Sequence, residues 1–285
     1  MKFLITGANG MLGKDLCKLL SERGHEVVAT DRAQLDITDK DAVFLYIEKE
    51  SPDVVINTAA YNFVDKIEED DIYPIALAIN GSGPGFLAEA AKEHGAKFVH
   101  YSTDYVFSGE KPEGYSEEDE PAPISKYGET KLAGEHAVKD AGGEYYICRV
   151  SKLFGEPGHS EGSKESFVSL MLRLAEKLPE LNIVDEEVGC PTYTPDLAKA
   201  TLSLLEGDYE PGVYHLINDD PGNTWYEFAQ EIFEIVGVNT PRNPVPSSEF
   251  PKPAKRPKFA ALLNTKFPKL RSRREALKDF LSSKG

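Results

Sequence analysis

Lys2-Phe3-Leu4-Ile5-Thr6-Gly7-Ala8-Asn9-Gly10-Met11-Leu12-Gly13 is the stretch on which the fold turns. An apolar run of strand length ends in three glycines spaced G-x-x-G-x-x-G, and residues 11–22 behind them carry the apolar period of a helix. In a turn from strand to helix such glycines have a mechanical use. They let the backbone bend sharply and approach a pyrophosphate, whose charge then meets the unpaired N–H groups of the helix start. Gly7, Gly10 and Gly13 are therefore candidate contacts of a dinucleotide cofactor.

Outward from this turn the same alternation repeats. Strand-like runs Phe3–Thr6, Glu26–Thr30, Val54–Asn57 and Lys97–Ser102 are separated by stretches of helical period at 11–22, 39–50 and roughly 72–94. That pattern predicts an α/β fold, a Rossmann-like doubly wound parallel sheet. Val54-Val55-Ile56 is apolar throughout, as a strand covered on both faces must be. Gly109–Pro123, with its prolines and the acidic run Glu117–Glu120, reads as a surface loop ahead of a helix starting near Ser125, and Tyr145–Val150 as the next strand. The expected dinucleotide-binding domain is 1–150. Residues 151–285 are expected to form mainly a smaller mixed α/β substrate-binding region, from which a strand and a helix return to the first domain. Helices are expected there near 165–177, 194–206, 224–236 and 272–283, a strand at Val213–Ile217, and a proline-rich passage at Pro241–Pro257.

Length and composition set the outer limits. The chain has 285 residues, room for one or two cores. Its net charge of −16 would repel a nucleic-acid backbone over most of the surface, which argues against nucleic acid as a partner. The three cysteines, Cys17, Cys148 and Cys190, form no C-x-x-C pair and suggest neither a disulfide framework nor a zinc ribbon, so a reducing, cytoplasmic compartment is expected. The apolar run after Met1-Lys2 is too short for the core of a signal peptide and no 18-residue apolar run follows, so neither export nor a membrane partner is expected. Charge is uneven, however: Arg242–Arg274 holds ten Lys or Arg against the single acid Glu249. An anionic substrate fits this asymmetry, and Arg256 is the best candidate for a phosphate contact.

Asp31, eighteen residues after Gly13, ends the second strand, where an acid hydrogen-bonds adenosine ribose hydroxyls and favours NAD. Arg32 beside it suits a 2′-phosphate instead, so the sequence leaves NADH and NADPH both open. Asp36-Ile37 is placed to flank the adenine, and Ala59-Ala60-Tyr61 to lie beneath the cofactor. Tyr127-Gly128-Glu129-Thr130-Lys131 opens a helix, and the i,i+4 spacing puts phenol and ammonium on one face. A close ammonium lowers a phenol toward the range useful for proton transfer, and Lys131 is also placed to hold the nicotinamide ribose. Thr103-Asp104 follows the fourth strand at its carboxyl end, where ligands of open α/β sheets bind. Thr103 to position a ketone, Tyr127 to protonate it and a hydride to reach its carbon are the parts of a carbonyl reduction.

These passages, with LDITD, NTAAYNFVDKIE, VHYSTDYVFSG, PAPISKYGETKLAGE, VGCPTYTPDLA, TWYEFA and AKRP in order, make the chain resemble the dTDP-4-dehydrorhamnose reductase family of extended short-chain dehydrogenase/reductases nearly end to end. The resemblance implies reduction of a 4-keto nucleotide deoxysugar by NAD(P)H. It places Thr103, Tyr127 and Lys131 on catalytic positions, and Gly10, Met11, Leu12, Asp31, Asp36, Ile37 and Ala59–Tyr61 on cofactor positions. It implies a nucleotide-sugar substrate and is compatible with a homodimer. Two departures stand out. Lys152 occupies the place of a tryptophan usual against the sugar, which makes it a substrate-binding candidate with Thr103, Asp104 and Arg256, and the link Pro157–Ser166 is longer than usual. Some members bind Mg2+ through acids, and Asp15, Asp185 and Glu186 lie in comparable places, but exposed acids are adequately explained as surface charge and no metal is expected. Two other activities share this fold: a regulatory binding subunit like that of methionine adenosyltransferase, which turnover would distinguish, and a nucleotide-sugar epimerase or dehydratase. A dehydratase would carry Asp-Glu where this chain has Asp104-Tyr105.

Overall fold

A computed structural model describes residues 1–159, 163 and 165–283. The chain runs β1 (Lys2–Thr6), α1 (Met11–Glu22), β2 (Glu26–Thr30), α2 (Lys40–Glu50), β3 (Val54–Asn57), α3 (Tyr73–Leu77), α4 (Gly83–Glu93), β4 (Lys97–Thr103), α5 (Lys126–Ala141) and β5 (Tyr145–Val150). It continues through β6 (Leu153–Phe154), α6 (Phe167–Lys177), β7 (Leu181–Val184), β8 (Thr192–Tyr193), α7 (Thr194–Glu206), β9 (Gly212–His215), α8 (Trp225–Val236), β10 (Arg242–Val245) and α9 (Arg273–Ser282).

Six parallel strands form the main sheet in the order β2-β1-β3-β4-β5-β9. The alternation of side chains along each strand feeds two cores. Phe3 and Ile5 face α1 and α7 with Leu12, Leu16, Leu20 and Leu197, while Leu4 and Val55 face α2 and α4 with Val43, Ile47, Leu87 and Ala91. The leucines of α1 recur every fourth residue, so one stripe of that helix is buried. After β5 the chain leaves the sheet for a third core built from Phe154, Phe228, Phe233 and Phe280 under α6, α8 and α9. It then returns: α7 covers α1, and β9 pairs with β5 as the last strand.

Several helices start one residue later than their sequence signal, because the signal residue is the cap. Asp39, Ser125, Thr224 and Ser272 each keep extended or non-helical backbone and accept a hydrogen bond from the first turn, with Glu227 and Glu275 completing capping boxes in α8 and α9. The single helix expected over 72–94 is instead α3, a π-helical turn at Ala78–Ser82, and α4. The proline-rich passage contains β10, which pairs in parallel with β7; as a two-stranded ribbon it has an open side where Pro244 needs no partner. The strand expected at Val213–Ile217 spans Gly212–His215. Part of the long link Pro157–Ser166 lies outside the described residues. No helix among the described residues is long and apolar enough to cross a membrane.

Candidate active site

The strand order reverses between β1 and β3, and the crevice at their carboxyl ends is where an open α/β sheet takes its ligand. Two loops meet there. Gly7 has a left-handed φ of +69°, and a Cβ on it would lie 2.6 Å from the Ala59 nitrogen; a Cβ on Gly13 would lie 2.5 Å from the Gly7 carbonyl. Thr58 Oγ1 donates to the carbonyls of Thr6 and Gly7, and Ala59 N–H donates to Asn57 Oδ1, so the turn and the Ala59–Tyr61 loop form one unit. Gly10 caps α1 without any side-chain hydrogen bond, so no capping side chain occupies the first N–H groups of the helix. Glycine cradle and uncapped helix start suit a pyrophosphate, and a dinucleotide fits the residues present.

The other expected cofactor residues are distributed as follows. Met11 is half-buried and Leu12 is in the core. Asp31 accepts from Asn9 Nδ2 at 3.0 Å and from the Ala33 N–H at 2.8 Å, which ties it to the glycine turn. The Arg32 side chain is 80% exposed and pairs loosely with Asp36, while Asp36 accepts from Thr38, which holds its carboxyl below its usual range. Ile37 is buried against the spot where Gly83 has no side chain. Ala60 is exposed, and Ala59 and Tyr61 are half-buried.

Asn80 joins this cofactor side to the helix that carries the phenol. Its carboxamide accepts the Tyr61 N–H and donates to the Tyr61 carbonyl and to Thr130 Oγ1 on α5. It sits in the π-helical turn, whose extra residue turns this buried amide inward, a common use of such turns at functional sites.

At the end of β4, Thr103 stands beside Tyr127, and the Tyr105 and Tyr127 rings meet edge to face at 5.4 Å. Burial, with the nearby Asp104 charge, pushes the Tyr127 phenol up to about 12. The expectation that the Lys131 ammonium lowers this phenol is not met. Lys131 Nζ is drawn instead to the Tyr101 carbonyl at 2.6 Å, with His100 Nε2 at 3.5 Å, and burial brings the ammonium down to about 8. His100 is held neutral by its burial, and its Nδ1 faces Asn57 Nδ2 at 3.1 Å, so a buried polar line runs from Lys131 to the loop under the cofactor.

Three substrate candidates are engaged within the protein. Asp104 is 4% exposed, with its carboxylate between the hydroxyls of Thr103 and Ser151, so it backs the site and does not open onto it. Lys152 has a left-handed φ of +45°, uncommon for a residue other than glycine and a mark of local constraint. Its ammonium donates to the carbonyls of Glu187 (2.7 Å) and Asn223 (3.0 Å) and lies 4.1 Å over the Trp225 ring, whose Nε1 donates to Glu187. Two carbonyls and an aromatic face use its three N–H groups. Arg256 is held in a bidentate pair by Asp65, at 2.5 and 2.8 Å, and lies near Tyr105. Asp15 accepts from Thr194, Asp185 from Thr224 and Glu186 from the Ser247 N–H; among the described residues no three His, Cys, Asp or Glu side chains gather as metal ligands.

Asn57, Asn80, His100 and Ser151 were invisible as site residues in the sequence. Asn57 and His100 lie in apolar strands, Asn80 in the π-helical turn and Ser151 just after β5, and the signal that marks each is burial with hydrogen-bond partners.

A dinucleotide turn at the sheet's switch point, with Tyr127 and Lys131 on a helix beside it, defines an extended short-chain dehydrogenase/reductase. The family described as "RmlD substrate binding domain" matches residues 1–284. The chain is 38% identical, over 99% of its own length and 85% of the other, to the dTDP-4-dehydrorhamnose reductase of Mycolicibacterium smegmatis. Its fold is similar to two solved dTDP-4-dehydrorhamnose reductases. The protein from Clostridium acetobutylicum has a TM-score of 0.91 at 42% identity, and that from Bacillus anthracis, solved in complex with NADP, 0.92 at 36%; each comparison covers 99% of both chains. The chain belongs to the dTDP-4-dehydrorhamnose reductase family.

Proposed function

We propose that this chain reduces the 4-keto group of dTDP-4-dehydro-L-rhamnose to dTDP-L-rhamnose with NADPH or NADH. The observation that carries the reading is the pairing of Thr103, at the carboxyl end of β4, with Tyr127, on a helix that Asn80 ties to the Ala59–Tyr61 loop and so to the glycine turn that fits the dinucleotide. When bound, the reduced nicotinamide supplies the hydride. The protein's own residues manage the oxygen. Tyr127, protonated at neutral pH, donates its phenolic proton to the oxygen as negative charge develops there. Thr103 stands beside the phenol and positions it for that oxygen. Lys131, whose ammonium is already fixed to a backbone carbonyl, gives the site a rigid positive charge and is placed to hold the nicotinamide ribose.

The Gly7–Gly13 turn with Met11 and Leu12 holds the pyrophosphate, Asp31 the adenosine ribose, and Ala59–Tyr61 the underside. Arg256 takes the substrate's diphosphate, a group that matches the fork now filled by the Asp65 carboxylate. A cytoplasmic location goes with this reading, and so do the three free thiols.

The test is direct. Mixing the purified protein with dTDP-4-dehydro-L-rhamnose and each reduced nicotinamide should consume absorbance at the dihydropyridine band. Tyr127→Phe should lower kcat/KM by about 10²–10⁴, the range for loss of a general acid, with the dinucleotide dissociation constant nearly unchanged. A stable nucleotide complex without oxidation would instead favour the binding-subunit activity.

A further inference from the structure

Thr103 has one hydroxyl proton, and its destination is fixed. Oγ1 donates to Asp104 Oδ1 at 2.9 Å and accepts the Tyr105 N–H at 3.2 Å. The other carboxylate oxygen accepts from Ser151 Oγ at 2.5 Å, and Ser151 accepts the Cys190 N–H at 3.0 Å, so its own proton also points at Asp104. One buried carboxylate thus receives hydroxyl protons from both sides, directly behind the residue that meets Tyr127.

The direction of that proton matters to the phenol. A hydroxyl favours a neighbouring phenolate only by donating to it. While its proton rests on Asp104, Thr103 can offer the phenol oxygen nothing but a lone pair. A neutral phenol, with its O–H toward Thr103, is satisfied by this arrangement; a phenolate would face a lone pair with a carboxylate charge behind it.

We propose that Asp104 is a positioning residue which, by holding the Thr103 proton, keeps Tyr127 in the proton-bearing form that ketone reduction requires. The proposal rests on the reductase reading for its catalytic meaning. Other charges also face this cluster. Lys152 opposes the burial of Asp104 and helps to keep it ionised, whereas Cys190 and Glu187 lie on the Lys152 side, and Tyr105 and Arg256 on the Tyr127 side. None of these groups donates a hydrogen bond to Thr103 except the Tyr105 backbone, so Asp104 alone sets the hydroxyl's direction.

The substitution Asp104→Asn separates the two states. Its amide can donate to Thr103 while accepting from Ser151, which turns the Thr103 proton toward Tyr127 and removes a negative charge. With 13Cζ-labelled tyrosine and Tyr127→Phe to assign the resonance, NMR titration of the full chain should show about tenfold more Tyr127 phenolate at pH 10.5 in Asp104→Asn than in the unaltered protein, one unit in pKa. Superimposable titrations would overturn the proposal. If Asp104→Asn does not fold, the near-isosteric Thr103→Val carries the test: the Tyr127 resonance should move at pH 7 in Thr103→Val and be restored in Thr103→Ser, and an unmoved resonance would overturn it. In turnover, the basic limb of kcat/KM should shift to lower pH in Asp104→Asn. Absence of turnover in the unaltered protein would overturn the reductase reading, and the NMR comparison would still decide the role of Asp104.

Discussion

Lys152 shows how one residue can change meaning between a sequence and a fold. In the sequence it stands as a cation where the resemblance leads one to expect a tryptophan. In the fold its ammonium ties the Glu187 and Asn223 backbone together and rests on Trp225. An aromatic face is present beside it, that of Trp225, and the ammonium covers it. Burial lowers Lys152 and Lys131 to about 8 from 10.5. Below pH 8 both are charged in folded and unfolded chains, and the folded state bears the full cost of two buried ammonium groups. As the pH rises through about 8 the unfolded chain binds more protons than the folded one, so stability should rise with pH there. From about 9 upward the buried thiols, Cys190 raised to about 12 among them, and then buried tyrosines such as Tyr127, also raised to about 12, act in the opposite sense. Chemical denaturation at pH 7.0, 7.75 and 8.5 should therefore give increasing unfolding midpoints, and Lys152→Met should show a smaller rise. A flat profile in the unaltered protein would contradict the burial of both lysines.

The glycine turn and the π-helical turn are the elements that build the site, and they were unequally legible. Gly7, Gly10 and Gly13 announced themselves because a spacing of small residues between a strand and a helix has few other uses. The turn's steric demand gives a sharp expectation. Gly13→Ala places a methyl group 2.5 Å from the Gly7 carbonyl, so the backbone must shift, and NADPH affinity measured by fluorescence quenching should weaken about tenfold or more, a loss of about 1.4 kcal/mol. The π-helical turn was hidden: Ala78-Ile79-Asn80-Gly81-Ser82 continues the helical period closely enough that one unbroken helix over 72–94 is the natural reading. Its inserted residue leaves no mark in composition, only in the partners of Asn80. β6 and β8, two residues each, and β10 with its proline were likewise too short or too atypical to carry a periodicity of their own. The long strands of the main sheet were readable because they are apolar on both faces; the polar contacts among Thr103, Asp104 and Ser151 were not, because residues 103 and 151 become neighbours only when β4 and β5 pair.

Across the whole molecule, two parts of the chain are joined at the site by Arg256 and Asp65, 191 residues apart in sequence. The pair is partly exposed, so it adds little to stability, and its interest lies in where it holds the guanidinium. With Arg256 as the diphosphate contact, Arg256→Ala should raise the KM for the nucleotide sugar by about tenfold or more, the loss of a bidentate charged hydrogen bond, while kcat and NADPH affinity change little. An unchanged KM would remove Arg256 from the substrate site. The path of the chain through the main sheet has a further effect. β9 and α7 close the edge of β5 and the apolar face of α1 only after residues 153–193 have left the sheet to contribute Phe154, α6 and β7 to the other core, whose α8 and α9 follow later still. On the ribosome, then, the nascent nucleotide-binding half must wait with a bare strand edge and a greasy helix until residue 215 has emerged, and translation speed over that interval becomes a determinant of how much of the polypeptide escapes premature association.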